Sequence, residues 1–133
     1  MSDNMIESFS TTLDCSMAEA EERVRAALQA EGFGVLTEID VAATLKAKLD
    51  LDRAPLKILG ACNPVLASQV LERDDSLSLM LPCNVVIDEG EAGVRVRAID
   101  PLAMFADDSF ADLAADAAER LGRAIASLSA PAL

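Results

Sequence analysis

Two Cys-Asn dipeptides carry the residue types best suited to chemistry. They are Cys62-Asn63, within Gly60-Ala61-Cys62-Asn63-Pro64, and Cys83-Asn84, within Leu81-Pro82-Cys83-Asn84-Val85-Val86, twenty-one residues apart. A strand is expected to run into the first and another to start from the second, so folding can bring the two thiols together. Cys62 precedes a predicted helix N-terminus, whose unpaired amides and dipole favour a thiolate, which makes it the candidate catalytic or redox thiol. A proximal pair can form a reversible disulfide or hold a soft cation, and the amides of Asn63 and Asn84 can orient a ligand. The competing reading treats both cysteines as small core hydrophobes, Asn63 as a helix cap, and Asn84 as the partner of a backbone group beside Pro82. Cys62, Asn63, Cys83 and Asn84 together form the candidate ligand-binding site. No cofactor follows from the sequence, and no metal ligands are assigned.

Other chemistries find little support. The chain has no histidine, which removes Ser-His-Asp and Cys-His sets and the commonest axial ligand of haem. A structural zinc needs four Cys or His ligands, and Cys15 is the only other thiol. Cu(I) bound by Cys62, Cys83 and a methionine such as Met80 stays open. There is no GxSxG elbow and no glycine-rich phosphate loop. Asp74-Asp75 and Asp107-Asp108 read as turn and cap residues, and Asp100-Pro101 as a strand terminator.

The elements that must position these residues can be read along the chain. Residues 6–13 form a strand with Phe9, Thr11 and Leu13 on one face. Ser16-Met17-Ala18-Glu19 has the capping-box form and opens a helix carrying Met17, Ala20, Val24, Ala27 and Leu28, with Gly32 as its stop. Residues 33–41 alternate as a strand, with Phe33, Val35, Thr37, Ile39 and Val41 in phase. A short helix over 41–50 and a strand over 56–61 follow. Asn63 caps and Pro64 starts a helix over 64–73 that buries Val65, Leu66, Val70 and Leu71. Leu77, Leu79 and Leu81 then alternate with Ser76, Ser78 and Met80, and the strand continues from Cys83 to Asp88. A turn at 89–93 returns the chain into Val94–Ile99, with Arg95 and Arg97 on the face opposite Val94 and Val96. A final helix over 109–128, capped by Ser109 or Asp108, carries an apolar stripe from Phe110 to Leu128.

Bulk properties set the class. At 133 residues and 52% hydrophobic content, the chain is expected to fold as one domain, 1–133. With 23 acidic against 11 basic residues, its charge of −12 disfavours nucleic acid and anionic membranes. No apolar run is long enough to span a bilayer, and the acidic N-terminus lacks the features of a signal peptide, which points to the cytoplasm. Three cysteines, an odd number, do not read as a disulfide framework. The alternation of helices and strands followed by a hairpin and helix predicts an α+β two-layer sandwich, a mixed or antiparallel sheet of about five strands.

From Gly32 to Pro101 the chain resembles the bacterial and archaeal family called domain of unknown function 302. The resemblance rests on Gly32-Phe33-Gly34-Val35 with Glu38-Ile39-Asp40, then Ile58-Leu59-Gly60-Ala61-Cys62-Asn63-Pro64, Leu79 through Val86, and Ala98-Ile99-Asp100-Pro101. It implies a compact α+β domain that pairs as a homodimer, and it implies no reaction. The leading expectation is a non-enzymatic homodimeric binding or thiol-sensing domain, for a small molecule or soft metal. The alternatives are a small thiol redox enzyme using Cys62, or a purely structural dimerisation module.

Overall fold

Local signals build the elements at the expected places. In the computed structural model, which describes residues 8–104 and 108–129, the Ser16 hydroxyl accepts the Glu19 amide at 3.1 Å and starts α1 (Met17–Ala30). Gly32, at φ +86°, lets the chain leave that helix in the left-handed region. Asp40 caps α2 (Val41–Leu49) by accepting the Ala43 amide, and Asp50 closes it in the left-handed conformation. Asn63 and Pro64 start α3 (Pro64–Arg73) as the sequence predicts. A one-turn helix, α4 (Pro101–Met104), has Asp100 as its cap, accepting the Leu102 amide at 2.9 Å; α5 (Ala111–Leu128) follows.

The strands are β1 (Ser8–Leu13), β2 (Gly34–Asp40), β3 (Leu56–Cys62), β4 (Cys83–Gly90) and β5 (Gly93–Ile99). They form one sheet in the order β1-β5-β4-β3-β2, antiparallel throughout. The expected α+β layering is therefore present, and every ladder is antiparallel. Helices α1 and α5 pack on each other and on one face of the sheet. The core between them is aliphatic: Val24 and Leu28 from α1, Leu121 and Ile125 from α5, and Leu59, Val85, Ile87, Val94, Val96 and Ala98 from the strands. Alternation along β4 and β5 sends Val86, Asp88, Arg95 and Arg97 to the other face.

Four local expectations are corrected. Residues 75–80 form a 3-10 helix, Asp75–Met80, in place of a strand, because the Asp74 carboxylate accepts the Ser76 amide and hydroxyl and nucleates a turn; Leu79 is left 87% exposed. In β2 the register shifts between Val35 and Thr37, so Val35 pairs towards the helix face while Thr37 and Ile39 point away from it. In α3 only Leu66 and Val70 are buried; Val65 and Leu71 lie on the solvent side of the helix. Neither Ser109 nor Asp108 caps α5: a short 3-10 turn, Asp108–Phe110, leads into it, and the Ser109 carbonyl accepts a hydrogen bond from Arg73 instead. Residues 6 and 7 of the expected first strand lie outside the described residues.

Candidate functional site

The antiparallel pairing of β3 with β4 brings the two Cys-Asn units to the same end of the sheet. Ala61 stands directly opposite Cys83, and Gly60 opposite Asn84. Cys62, at the last position of β3, and Cys83, at the first of β4, both line a concavity between the sheet end, α3 and α5. The rest of the wall is almost wholly apolar: Phe33 and Leu81, Leu66, Ala67 and Val70 of α3, and Leu113, Ala114 and Ala117 of α5. Pro101 and Phe110 complete it. Counting its open mouth the concavity measures about 490 Å³, of which about 40 Å³ admits the centre of a water-sized sphere. A single water needs about 10–15 Å³ on the latter measure, so the inner space suits only a small molecule unless the wall moves.

Asn63 is the polar member of this wall. It is buried, its Oδ1 accepts the Leu66 amide at 3.2 Å, and its side-chain nitrogen packs against Gly32. A Cβ on Gly32 would come within 3.0 Å of that nitrogen, so glycine is needed there for contact as well as for its positive φ. The helix cap is thus Asn63 itself, and Cys62 stands one residue outside it.

The direction of the shift at Cys62 runs against the expected thiolate activation. Burial raises the Cys62 pKa above the ordinary thiol value. Cys83 is pushed to about 11, first by burial and then by the neighbouring Cys62 charge. The desolvation of a thiolate against aliphatic side chains outweighs what one helix end supplies. Both shifts favour the neutral thiol, and all three cysteines are free.

Asn84 does not join them. It is exposed on the opposite face of the sheet, in a shallow groove with Leu79, Met80, Pro82, Ile99 and Met104. Period-two alternation along β4 separates it from Cys83. Met80 lies in that same groove, away from the two thiols, so the three-ligand Cu(I) set with Cys62 and Cys83 is not assembled. Among the described residues no three His, Cys, Asp or Glu groups cluster as a metal site would require. Also among the described residues, no helix is long and apolar enough to cross a membrane.

Sequence reasoning missed a second polar cluster. Asp88 is 5% exposed, and its carboxylate accepts hydrogen bonds from Arg95 Nε at 3.1 Å and Nη2 at 2.8 Å. Burial alone would raise its pKa, but the Arg95 hydrogen bonds and the charges of Arg95, Arg97 and Arg53 together lower it. The signal was present in the hairpin pattern, where Asp88 falls directly opposite Arg95.

The fold and cavity define a small α+β domain with an apolar pocket at one end of an antiparallel sheet. The chain belongs to the family described as domain of unknown function DUF302, which matches residues 9–128. It is similar to an uncharacterized conserved DUF302 protein from Bacillus stearothermophilus, known from a crystal structure. That similarity amounts to 30% identity and a TM-score of 0.82, covering 90% of this chain and 95% of the other. No curated protein matches.

Proposed function

We propose that this domain is a binding module, without catalysis of its own, for a small uncharged and mainly apolar molecule. The observation that carries the reading is the shared cavity: Cys62, Asn63 and Cys83 meet in a wall that is otherwise apolar. Support for binding over thiol chemistry comes from the direction of both thiol shifts, which leaves little thiolate at neutral pH for nucleophilic attack or exchange. A second reading, a slow thiol sensor, draws on one fact: the charge of Cys62 is felt by Cys83.

One titration separates them. Benzene and 1-hexanol, added to protein with labelled methyl groups, are expected to shift Leu66, Val70 and Leu113 saturably. Ala114→Phe, which fills the cavity, should remove the effect while the spectrum elsewhere stays folded. Absence of any saturable shift at these methyls would sink the binding reading. Mass spectrometry after peroxide treatment, with loss of two hydrogens only when Cys62 and Cys83 are both present, would favour the sensor. Because the chain has neither Trp nor Tyr, an aromatic ligand carried through purification would also stand out near 280 nm.

We read the working form as a homodimer in the cytoplasm. Support for pairing comes from β2, an edge strand with one hydrogen-bonding side unpaired, and from Leu36, Ile39, Leu49 and Leu51 exposed on it and on the segment around α2. Sedimentation equilibrium should give twice the chain mass, falling to one for Leu36→Glu combined with Ile39→Glu. A monomer before substitution would remove this part of the reading.

A further inference from the structure

The face of the sheet turned away from α1 and α5 has an unusual charge arrangement for so acidic a chain. Three guanidinium groups, Arg53, Arg95 and Arg97, act on one buried carboxylate, Asp88. Both oxygens of that carboxylate are taken by Arg95. Arg97 comes only to 3.8 Å from Asp88 Oδ1, beyond hydrogen-bond range. Its guanidinium has no hydrogen bond to a described residue, and its Nε is buried without an acceptor. A guanidinium offers five donors in a fixed planar fork, and leaving a buried donor unmatched is unfavourable. Arg97 nevertheless keeps 29% of its side chain exposed, so an acceptor can reach it from solvent. Its neighbours across the strands are Ser10 on β1, a further donor, and Val86 on β4.

We infer that this face carries an oxyanion-binding site centred on Arg97, which takes a carboxylate or phosphate group from a ligand. Arg95 is held by Asp88 and sets the wall of the site, while Arg97 supplies the paired donors that fit two oxygens of one anion. Arg53 adds attraction without a required contact. Nε and one Nη lie on the same edge of the planar guanidinium, so both can face a single anion. The site lies on the opposite side of the sheet from the apolar cavity and stands or falls independently of it.

The test follows the arginine Nε–Hε signals of the full chain by nuclear magnetic resonance, assigned through the backbone. Sodium phosphate and sodium acetate are titrated separately against sodium chloride at constant ionic strength. The Arg97 signal and the amides of Ser10 and Val86 should shift saturably, while Arg120 and Arg123, paired on the surface of α5, drift weakly. Arg97→Lys should weaken binding about tenfold, because the charge remains and the fork is lost. Saturation with both salts assigns a general oxyanion site, and saturation with phosphate alone narrows the ligand to a phosphate group. Linear drift of all arginines together, or identical titrations of the parent and Arg97→Gln, overturns the site. The wild-type titration decides the matter even if that variant does not fold.

Discussion

The two faces of the sheet bury ionisable groups in opposite ways. On the helix-covered side Cys62 and Cys83 sit against aliphatic residues with no countercharge, and burial keeps them protonated. On the other side Asp88 is buried as well, yet it stays charged because Arg95 holds both its oxygens and further cations stand close. Desolvation pushes the same way at both places. What differs is whether a partner of opposite charge lies within reach. A thiol can escape the penalty by keeping its proton, and it then serves as an apolar wall. The carboxylate is instead tied to a pair, and it fixes β4 to β5 at the price of depending on that pair.

The sharpest way to break this contrast is to remove Asp88. Asp88→Ala removes the carboxylate that Arg95 holds and Arg97 faces. Losing one partner of a buried pair costs about 3–5 kcal/mol, but Arg95 is partly solvated, so we expect about 2–4 kcal/mol in urea denaturation. A loss below about 0.5 kcal/mol would show that the pair behaves as a surface bridge.

Alkaline pH tests the thiol side. Because the folded pKa of Cys83 is raised, its contribution is complete below the ordinary thiol value of 9.0 and is lost as pH climbs towards about 11. That rise corresponds to roughly 2–3 kcal/mol, absent in Cys83→Ala. Acid acts in the other sense on Asp88, whose contribution is complete above its ordinary value of 3.8 and disappears as pH falls through the lower folded value. Urea midpoints for the parent and both variants, from pH 2 to 11, would show the two losses at opposite ends. Coincident curves for parent and Cys83→Ala above pH 9 would contradict neutral burial.

Gly60 lies between the two environments. A Cβ there would meet Thr37 Oγ1 at 2.1 Å and Pro82 Cγ at 2.8 Å, on the far face behind the cavity. Gly60→Ala is expected to cost about 1–3 kcal/mol by overpacking. Its effect should appear in the amides of β2 and β4 before those of α5.

The smallest effect is expected at Cys62. As a neutral, half-buried thiol it should tolerate Cys62→Ser with a loss under about 1 kcal/mol. Its alkylation by iodoacetamide at pH 7 should be slower than that of free cysteine, and Cys83 slower again. A fast, acid-shifted reaction at Cys62 would restore the nucleophile.

Much of this layout was legible in the residues. The hydroxyl of Ser16, the Asn63-Pro64 start and the alternation of Val94, Val96 and Ala98 are local signals, and local physics decided them. The resemblance from Gly32 to Pro101 also pointed to the right family. The Leu77-Leu79-Leu81 alternation misled because the Asp74 carboxylate offers nearby amides a competing turn, which hydrophobic period alone does not register. The site was half legible. Cys62 and Cys83 share a wall through the β3–β4 pairing, whereas a single step along β4 carries Asn84 to the other face. The thiol pKa direction depends on burial at a wall partly built by α5, which is distant in sequence from both cysteines, so no motif could report it.

The order of strands has one more consequence, for synthesis. Among the described residues β1 pairs only with β5, and α5, which follows every strand in the chain, supplies a wall of the cavity. A chain emerging from the ribosome can close the β2-β3-β4-β5 meander first, while β1 waits without its only neighbour. Long-range closure of that kind is slow and comes late. The pocket therefore exists only once translation has passed α5.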